Sequence, residues 1–535
     1  MDIDCIPFKK TGYFSQLICD YLEEKETLKP FYNRFPRLEN FESQIEEKSQ
    51  NFPEANRNVL YDSLVRQYSN FELSKKTKNN LVMLKEPTTF TIVTGHQLNL
   101  FTGPLYFLYK IISTINLTVA LKKRYPKYNF VPIYWMATED HDFDEINYFN
   151  FKGKKLQWNP DGFRDGAVGD LNTDGLHEVF ETFGEALGIG RNAAAIKDLF
   201  RKAYLEHDNL AKATRYLANE LFGHHGLVIV DGNDSSLKRV FVPYIKKDIF
   251  EQLPFHEVSE TIEHLKQLPE NYGIQVNPRE INYFYLKEGL RERIIKKDGN
   301  FYVNDTEIKF TKEELRAEIE THPEAFSPNV IARPLYQEAI LPNLCYIGGG
   351  GELAYWLQLK SYFEAMQVPF PMLLLRNSAL VVTKKQSKKL SKLGISVAEV
   401  FLRQNDLINK KIREVSNIDI DFAPQKMHLE NQFKALYEIA DQTDKSFLGA
   451  VKAQEIKQKK GLENLEKRLL KAQKRKLEDH VVRMRELQDQ LFPGKSLQER
   501  NLNFSELYLE LGETLIPTLF ESLKPLELGF RIIEV

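Results

Sequence analysis

Five short runs rich in β-branched and aromatic residues, at positions 90–93, 130–137, 226–230, 344–347 and 370–375, are each followed at once by a polar cluster. This pairing constrains the fold more than any other feature of the chain. Strands that are apolar throughout, rather than alternating, are buried on both faces, and helical patterns separate them. The expected class is therefore α/β with a parallel sheet. The endings are Thr94-Gly95-His96-Gln97, Glu139-Asp140-His141-Asp142, Asp231-Gly232-Asn233-Asp234, Gly348-Gly349-Gly350-Gly351-Glu352 and Arg376-Asn377-Ser378. Ligands of open parallel sheets bind beyond the carboxyl ends of the strands, where loops and helix N-termini converge. A composite site is expected along that edge.

The rest of the chain arranges itself around this core. Residues 1–85 carry apolar positions at helical spacing, among them Leu60, Leu64 and Tyr68, and are expected to pack on a core spanning 86–384. Two stretches interrupt the alternation of strand and helix: a glycine- and aspartate-rich one near 151–185 and a β-rich one near 276–326. Both are expected as insertions that cap or complete the site. From 385 to about 510 the chain is helical and charged. Leu462, Leu465, Leu469 and Ala472 fit one heptad frame, whereas Leu477, Val481, Met484, Leu487 and Leu491 fit a shifted one, a stutter compatible with a long coiled coil. Pro493-Gly494 stops that helix, residues 502–523 are expected to run back antiparallel, and 511–535 to return to the core.

Charge and cysteine usage exclude some functions. Lys and Arg number 73 against 75 Asp and Glu, so nothing in the bulk charge draws the chain to nucleic acid or an anionic membrane. No apolar run reaches the roughly 18 residues of a spanning helix, and the first residues do not read as a secretion signal. The three cysteines, Cys5, Cys19 and Cys345, give neither a disulfide framework nor metal-ligand spacing. A cytoplasmic protein is expected, without nucleic acid or membrane partners.

Individual motifs carry competing meanings. The loop Gly95-His96-Gln97, with Asn99 and Thr102 behind it and a helix starting near Pro104, suits an anion, and Lys110 in that helix could lie under the same ligand. The bland alternative is an ordinary turn at a helix start. In the next ending, Glu139, Asp140 or Asp142 could receive a substrate ammonium or act as general base, and His141 could be structural. The spacing is not diagnostic of a metal, and none is assigned. The glycine run lacks the Gly-Lys-Ser/Thr ending of a nucleotide-binding P-loop, but Gly350 and Gly351 permit close backbone approach, with Glu352, Tyr355 and Trp356 following. Upstream, Asn329 and Arg333 are candidates for carboxylate or phosphate recognition, and Glu338 is either part of that site or the salt-bridge partner of Arg333. Thr383-Lys384-Lys385-Gln386-Ser387 is similar to the lysine-serine loop of class I aminoacyl-tRNA synthetases, but a solvated basic helix start explains it better. Cys345 reads as core packing.

Taken together, four of these motifs resemble the BshC family of bacillithiol biosynthesis. They are Thr94-Gly95-His96-Gln97 through Thr102-Gly103-Pro104, Glu139 through Glu145, Ser327-Pro328-Asn329 with Arg333-Pro334, and Gly351-Glu352-Leu353-Ala354-Tyr355-Trp356. The resemblance implies a Rossmann-like core similar to class I synthetases and nucleotidyltransferases, two insertions, and an α-helical coiled coil that forms a homodimer. The implied reaction is ligation of cysteine to the amino group of glucosaminyl-malate. Joining a free carboxylate to an ammonium ion is uphill in water, so ATP or another nucleotide is expected to activate the cysteine. In this reading the His96 loop holds phosphate, Glu139 or Asp142 is the base, and Arg333 anchors a carboxylate. The synthetase motif's second histidine is missing, since Gln97, Leu98 and Asn99 follow His96. Two other readings stand beside it: a nucleotidyltransferase that adenylates another small acid, and a non-enzymatic coiled-coil scaffold.

Overall fold

The computed structural model describes residues 3–160 and 166–535, so part of the insertion expected near 151–185 lies outside the described residues. The chain divides into two compact units. The larger comprises Cys5–Leu380 and Leu497–Arg531, and the smaller comprises Val381–Ser496 with short stretches from both chain ends.

All five expected strands form, as Thr89–His96, Asn129–Met136, Val228–Asp231, Asn343–Gly348 and Met372–Leu375. They lie in one parallel sheet. Numbered along the chain, their spatial order is 3-2-1-4-5, the Rossmann arrangement. The order reverses between Thr89–His96 and Asn343–Gly348, which makes the gap beyond their ends the place where a ligand fits. Register keeps the endings level: Gly95 pairs with Trp135, His96 with Met136, and Met136 in turn with Asp231. Because the pairing is unshifted there, polar residues that are distant in sequence reach the same edge.

Burial on both faces explains the unbroken apolar runs. One core cluster packs Phe90, Ile92, Leu344, Cys345 and Ile347 with Leu117 and Leu121 of helix Tyr106–Arg124 and Phe41 and Ile45 of helix Phe41–Asn51. Cys345 is core packing, as its apolar setting predicts. The N-terminal helices are fastened to the sheet by polar side chains as well. Tyr21 donates its hydroxyl proton to the Leu373 carbonyl at 2.6 Å, and Arg57 donates to the Thr89 carbonyl at 2.9 Å.

The insertion near 276–326 is a five-stranded antiparallel sheet running from Tyr283–Lys287 to Phe326–Pro328. Its last strand leads through Asn329, whose carboxamide oxygen accepts from Ile331 N and Ala332 N, into helix Ala332–Ile340. The insert is thereby tied to the core immediately before the fourth core strand.

In the smaller unit, helices Ala423–Ala440 and Lys445–Lys476 form an antiparallel pair around Phe433, Ala440 and Val451. Lys426–Glu466 and Arg413–Glu466 ion pairs, at 2.7 and 2.8 Å, flank it. The stutter corresponds to a real break: Leu477 leaves helical geometry between Lys445–Lys476 and Glu478–Leu491. Residues 502–523 do not return along this pair. Their helices, Phe504–Leu511 and Leu515–Ser522, belong to the larger unit. Lys384–Lys392 is a capped basic helix, with Thr383 and Gln386 forming a capping box. Among the described residues no helix is long and apolar enough to cross a membrane.

Candidate active site

A cavity of about 590 Å³ opens beyond the ends of the core strands, centred on the reversal point of the sheet. Gly95, His96, Gln97, Lys110, Glu139, Asp140, His141, Asp142, Asn329, Arg333, Glu352 and Tyr355 line it, so most of the residues singled out in the sequence converge there. Asn99, Thr102, Glu338, Gly350, Gly351 and Trp356 do not line it.

The floor is an ion-pair network. Lys110, buried in helix Tyr106–Arg124, donates to the Gly95 carbonyl and to both Glu352 oxygens at 2.7 and 2.9 Å. Glu352 also accepts from the Tyr346 hydroxyl at 2.6 Å and from Gly349 N at 3.1 Å. Burial alone would raise its carboxyl, but Lys110 and these donors outweigh that and hold it below the ordinary carboxylate range. The glycine run is therefore closed on its own helix, and Gly349 N–H already has an acceptor. Trp356, stacked on Tyr346 at 4.5 Å, backs the network from the core.

His96 is buried against Tyr106 and Phe107 at ring distances of 5.3 and 5.0 Å. Burial, aided by the Lys110 ammonium, pushes its pKa down to about 3, so it is neutral at physiological pH. Nδ1 lies 2.9 Å from the Gln97 carbonyl, which places the proton there and leaves Nε2 a lone-pair acceptor. Among the described residues Nε2 has no hydrogen-bond partner. A neutral imidazole beside a compensated lysine does not fit the phosphate-holding role expected of this loop. The loop itself is fixed from behind. Phe101, Thr102 and Gly103 all have positive φ, and Asn503 donates to the carbonyls of Phe101 and Gly103 at 2.8 and 2.7 Å. Asn99 donates to the Glu145 carbonyl at 3.1 Å. Thus Asn99 and Thr102 shape the turn behind the cavity wall.

The acidic ending forms one wall. Gln97 donates to Asp140 and to Glu145, both at 2.9 Å, tying the first ending to the second. Burial opposes ionisation of Asp140, but hydrogen bonds from His141 and Gln97 overcome it and set its pKa at about 2. Glu139 is engaged by Lys238, a fully buried lysine of helix Ser235–Glu251 that also donates to the Phe326 carbonyl at 2.7 Å. Asp142 is about half exposed, and its nearest cationic candidate is His141 Nε2 at 3.7 Å. Asp140, His141 and Asp142 could reach a common metal ion. Arg291, however, donates from Nη1 to His141 Nδ1 at 2.6 Å, so the protein supplies its own positive charge.

Arg333 faces this wall. Its guanidinium carbon lies 5.8 and 5.7 Å from the Trp135 and Tyr346 rings, and Nη1 donates to Gln337 at 3.1 Å. Nη2 is buried without an acceptor, and among the described residues no carboxylate pairs with it. Gly95 leaves the room: a Cβ there would stand 3.3 Å from the Tyr346 hydroxyl and 3.8 Å from Arg333 Nη1. Glu338 is not the partner of Arg333. It is buried in helix Ala332–Ile340 with Lys48 at 3.2 Å and Asn343 at 2.6 Å.

Sequence reasoning passed over Tyr346, Trp135, Lys238, Arg279 and Arg291. Tyr346 and Trp135 look like ordinary core aromatics of apolar strands. Lys238, Arg279 and Arg291 sit in a helix and an insert that carry no motif, and only the excess of carboxylates at 139–145 hinted that cations had to come from elsewhere.

The fold and cavity define a class: a Rossmann-like α/β protein with a cavity at the strand-order reversal, joined to a helical coiled-coil unit. Residues 1–377 match the N-terminal Rossmann-like domain of the bacillithiol biosynthesis BshC family, and 379–535 match that family's C-terminal coiled-coil domain. Proteins named "putative cysteine ligase BshC" from Flavobacterium johnsoniae and Christiangramia forsetii are each 58% identical to the chain over 535 residues. The alignments cover all of this chain and 100% and 99% of the two relatives. One from Cytophaga hutchinsonii is 38% identical, covering 98% of this chain and 97% of that protein. The chain belongs to the BshC family of bacillithiol biosynthesis and is an enzyme.

Proposed function

We propose that the chain joins the carboxyl group of cysteine to the amino group of glucosaminyl-malate, forming the amide of bacillithiol. The observation that carries this reading is the division of one cavity between an acidic wall, Glu139 to Asp142, and the guanidinium of Arg333, which forms no ion pair among the described residues. An amine that also bears carboxylates complements both. Glu139, held in place by Lys238, receives the substrate ammonium. Asp142, half exposed and in no ion pair with a lysine or arginine among the described residues, is the base: it takes a proton from the ammonium, and the freed nitrogen attacks the activated cysteine carbonyl. The C–N bond forms as the activating group departs with its bonding electrons. His96 Nε2 accepts a hydrogen bond from a substrate O–H or N–H, and Arg333 holds a carboxylate.

Activation of the cysteine carboxylate by ATP or another nucleotide is part of the proposal. The residues of the His96 loop do not fit a triphosphate, because His96 is neutral and Lys110 is compensated, and no step is assigned to them with it. The coiled coil is proposed to form a homodimer, supported by the exposed apolar residues Ile456 and Leu465 on helix Lys445–Lys476. The cytoplasm, where cysteine is kept reduced, is the proposed location.

Incubation with cysteine, glucosaminyl-malate and each nucleoside triphosphate in turn, read by mass spectrometry, tests the reaction. Bacillithiol is the expected product with at least one nucleotide. Its absence under every nucleotide, including in an extract of cells lacking their own enzyme, overturns the assignment.

A further inference from the structure

Among the described residues, Phe101, Thr102 and Gly103 are the only three consecutive ones with positive φ, at 46°, 66° and 58°. Phe and Thr enter that region against steric resistance, a β-branched residue most of all. Glycine is required third, because a Cβ on Gly103 would stand 2.6 Å from Asn99 Cβ. The turn's own side chains do not hold it: Thr102 Oγ1 and Asn99 Oδ1 are buried without a hydrogen-bond partner among the described residues. It is held from outside. Asn503 Nδ2 donates to the Phe101 and Gly103 carbonyls at 2.8 and 2.7 Å, the Tyr204 hydroxyl accepts from Phe101 N at 2.8 Å, and the Leu502 carbonyl accepts from Leu105 N at 2.7 Å. Asn503 is fully buried, and its Oδ1 accepts from Ser505 N at 3.0 Å, capping helix Phe504–Leu511. Both ends of its carboxamide are therefore used.

What the turn controls is how the strand end meets the helix that follows. It stands between His96, the last residue of strand Thr89–His96, and Tyr106, the first of helix Tyr106–Arg124, and it returns the Tyr106 ring to 5.3 Å from the imidazole at an interplanar angle of 25°. Strained backbone persists only where its surroundings over-determine it, and it is concentrated where a site needs a single arrangement. The Phe101 ring, packed 5.1 Å from Phe504, supplies burial but little direction, whereas one planar amide bridging two carbonyls fixes both. We infer that Asn503, assisted by the Tyr204 hydroxyl, is a positioning residue of the cavity: by locking the left-handed turn it holds His96 against Tyr106, with Nε2 in one place. The kinetic consequence rests on the proposed reading of the cavity as the ligation site, but the position of His96 is measured without any reaction of substrate.

The test is carbethoxylation of the full chain by diethyl pyrocarbonate at neutral pH, read histidine by histidine in peptide mass spectra, with the exposed His264 as internal standard. Asn503→Ser keeps a helix cap but offers two carbonyls a single hydroxyl proton on a shorter arm. His96 is expected to be shielded in the unmodified protein and to react at least about tenfold faster in Asn503→Ser, the change that losing a buried hydrogen bond gives a local opening equilibrium. Tyr204→Phe removes one hydrogen bond from the turn and leaves the cap intact. It is expected to give a smaller rise, and it decides the matter if circular dichroism shows Asn503→Ser unfolded. Tyr21→Phe, which removes a buried hydrogen bond to the fifth core strand, is expected to leave His96 shielded. In ligation, kcat of Asn503→Ser is expected to fall at least about tenfold with KM for cysteine within about twofold, as for a group that acts in the transition state rather than in binding. A reactive His96 in the unmodified protein, no rise in either turn variant, an equal rise in Tyr21→Phe, or ligation unaffected while His96 becomes reactive overturns the inference. If no bacillithiol forms with any nucleotide while the His96 pattern holds, the reaction assignment is wrong and the positioning of His96 by Asn503 stands.

Discussion

Lys110 and Glu352 bring a full charge pair into the wall of the cavity. A buried pair of this kind adds little over an apolar replacement of both partners, yet breaking it strands the survivor. Lys110→Met is expected to destabilise the protein by about 3–5 kcal/mol in urea unfolding, and Lys110→Met with Glu352→Gln by clearly less than the sum of the single changes. Additive effects would show that the two side chains do not act as a pair. His96 has a different electrostatic signature. Its pKa falls from the ordinary 6.5 to about 3 because burial opposes the charged ring. The unfolded chain therefore takes up a proton below pH 6.5 that the folded one refuses until about pH 3. Stability contributed by this residue is complete above 6.5 and is lost as pH falls, by up to about 1.4 kcal/mol per unit. In His96→Gln, urea midpoints measured at pH 7 and pH 4.5 are expected to differ less than in the unmodified protein. An unchanged difference would contradict a buried, neutral His96.

At the level of elements, the insert supplies part of the cavity wall at the Rossmann edge. It brings Arg291 against the acidic wall and Arg279 into the cavity, and it is joined to the core near Asp248 of helix Ser235–Glu251, which accepts from Asn282 N at 3.2 Å. Burial pushes the Asp248 carboxyl up to about 8, so it is protonated at neutral pH. Here the sign reverses. The unfolded carboxyl ionises near 3.8 and the folded one near 8, so stability falls as pH rises between those values. Asp248→Asn is expected to raise the melting temperature, measured by calorimetry, and to raise it more at pH 8 than at pH 5. A variant less stable than the unmodified protein at pH 8 would show that Asp248 is ionised and satisfied. Sequence pattern announced the insert as β-rich but not this junction. Asp248 reads as a polar residue on an ordinary helix, and Asn282 as one in a short alternating run.

At the scale of the whole molecule, the coiled-coil unit has apolar residues beyond those its own helix pair buries. Leu465, expected inside a heptad seam, is 53% exposed, and Ile456 is 58% exposed. The antiparallel partner helix, Ala423–Ala440, is shorter than Lys445–Lys476 and cannot cover all of it. If a second copy covers them, Ile456→Glu with Leu465→Glu is expected to convert the dimer to a monomer in multi-angle light scattering without unfolding it. A persistent dimer would move the interface elsewhere.

The sequence by itself determined the parallel α/β sheet, the five strand endings, the inserted sheet and the coiled coil, because strand burial and helix periodicity are local patterns written into consecutive residues. It also determined that Gly95, His96, Arg333 and Glu352 belong to motifs, and it tied the chain to its family. Tertiary structure alone decided which charges remain available. Glu139 meets Lys238, Glu338 meets Lys48, and Glu352 meets Lys110 only after folding, because each pair joins residues far apart in the chain. Whether a carboxylate is a base, an ammonium receptor or a structural counter-ion depends on that neighbour and on burial, and neither is encoded at the residue's own position.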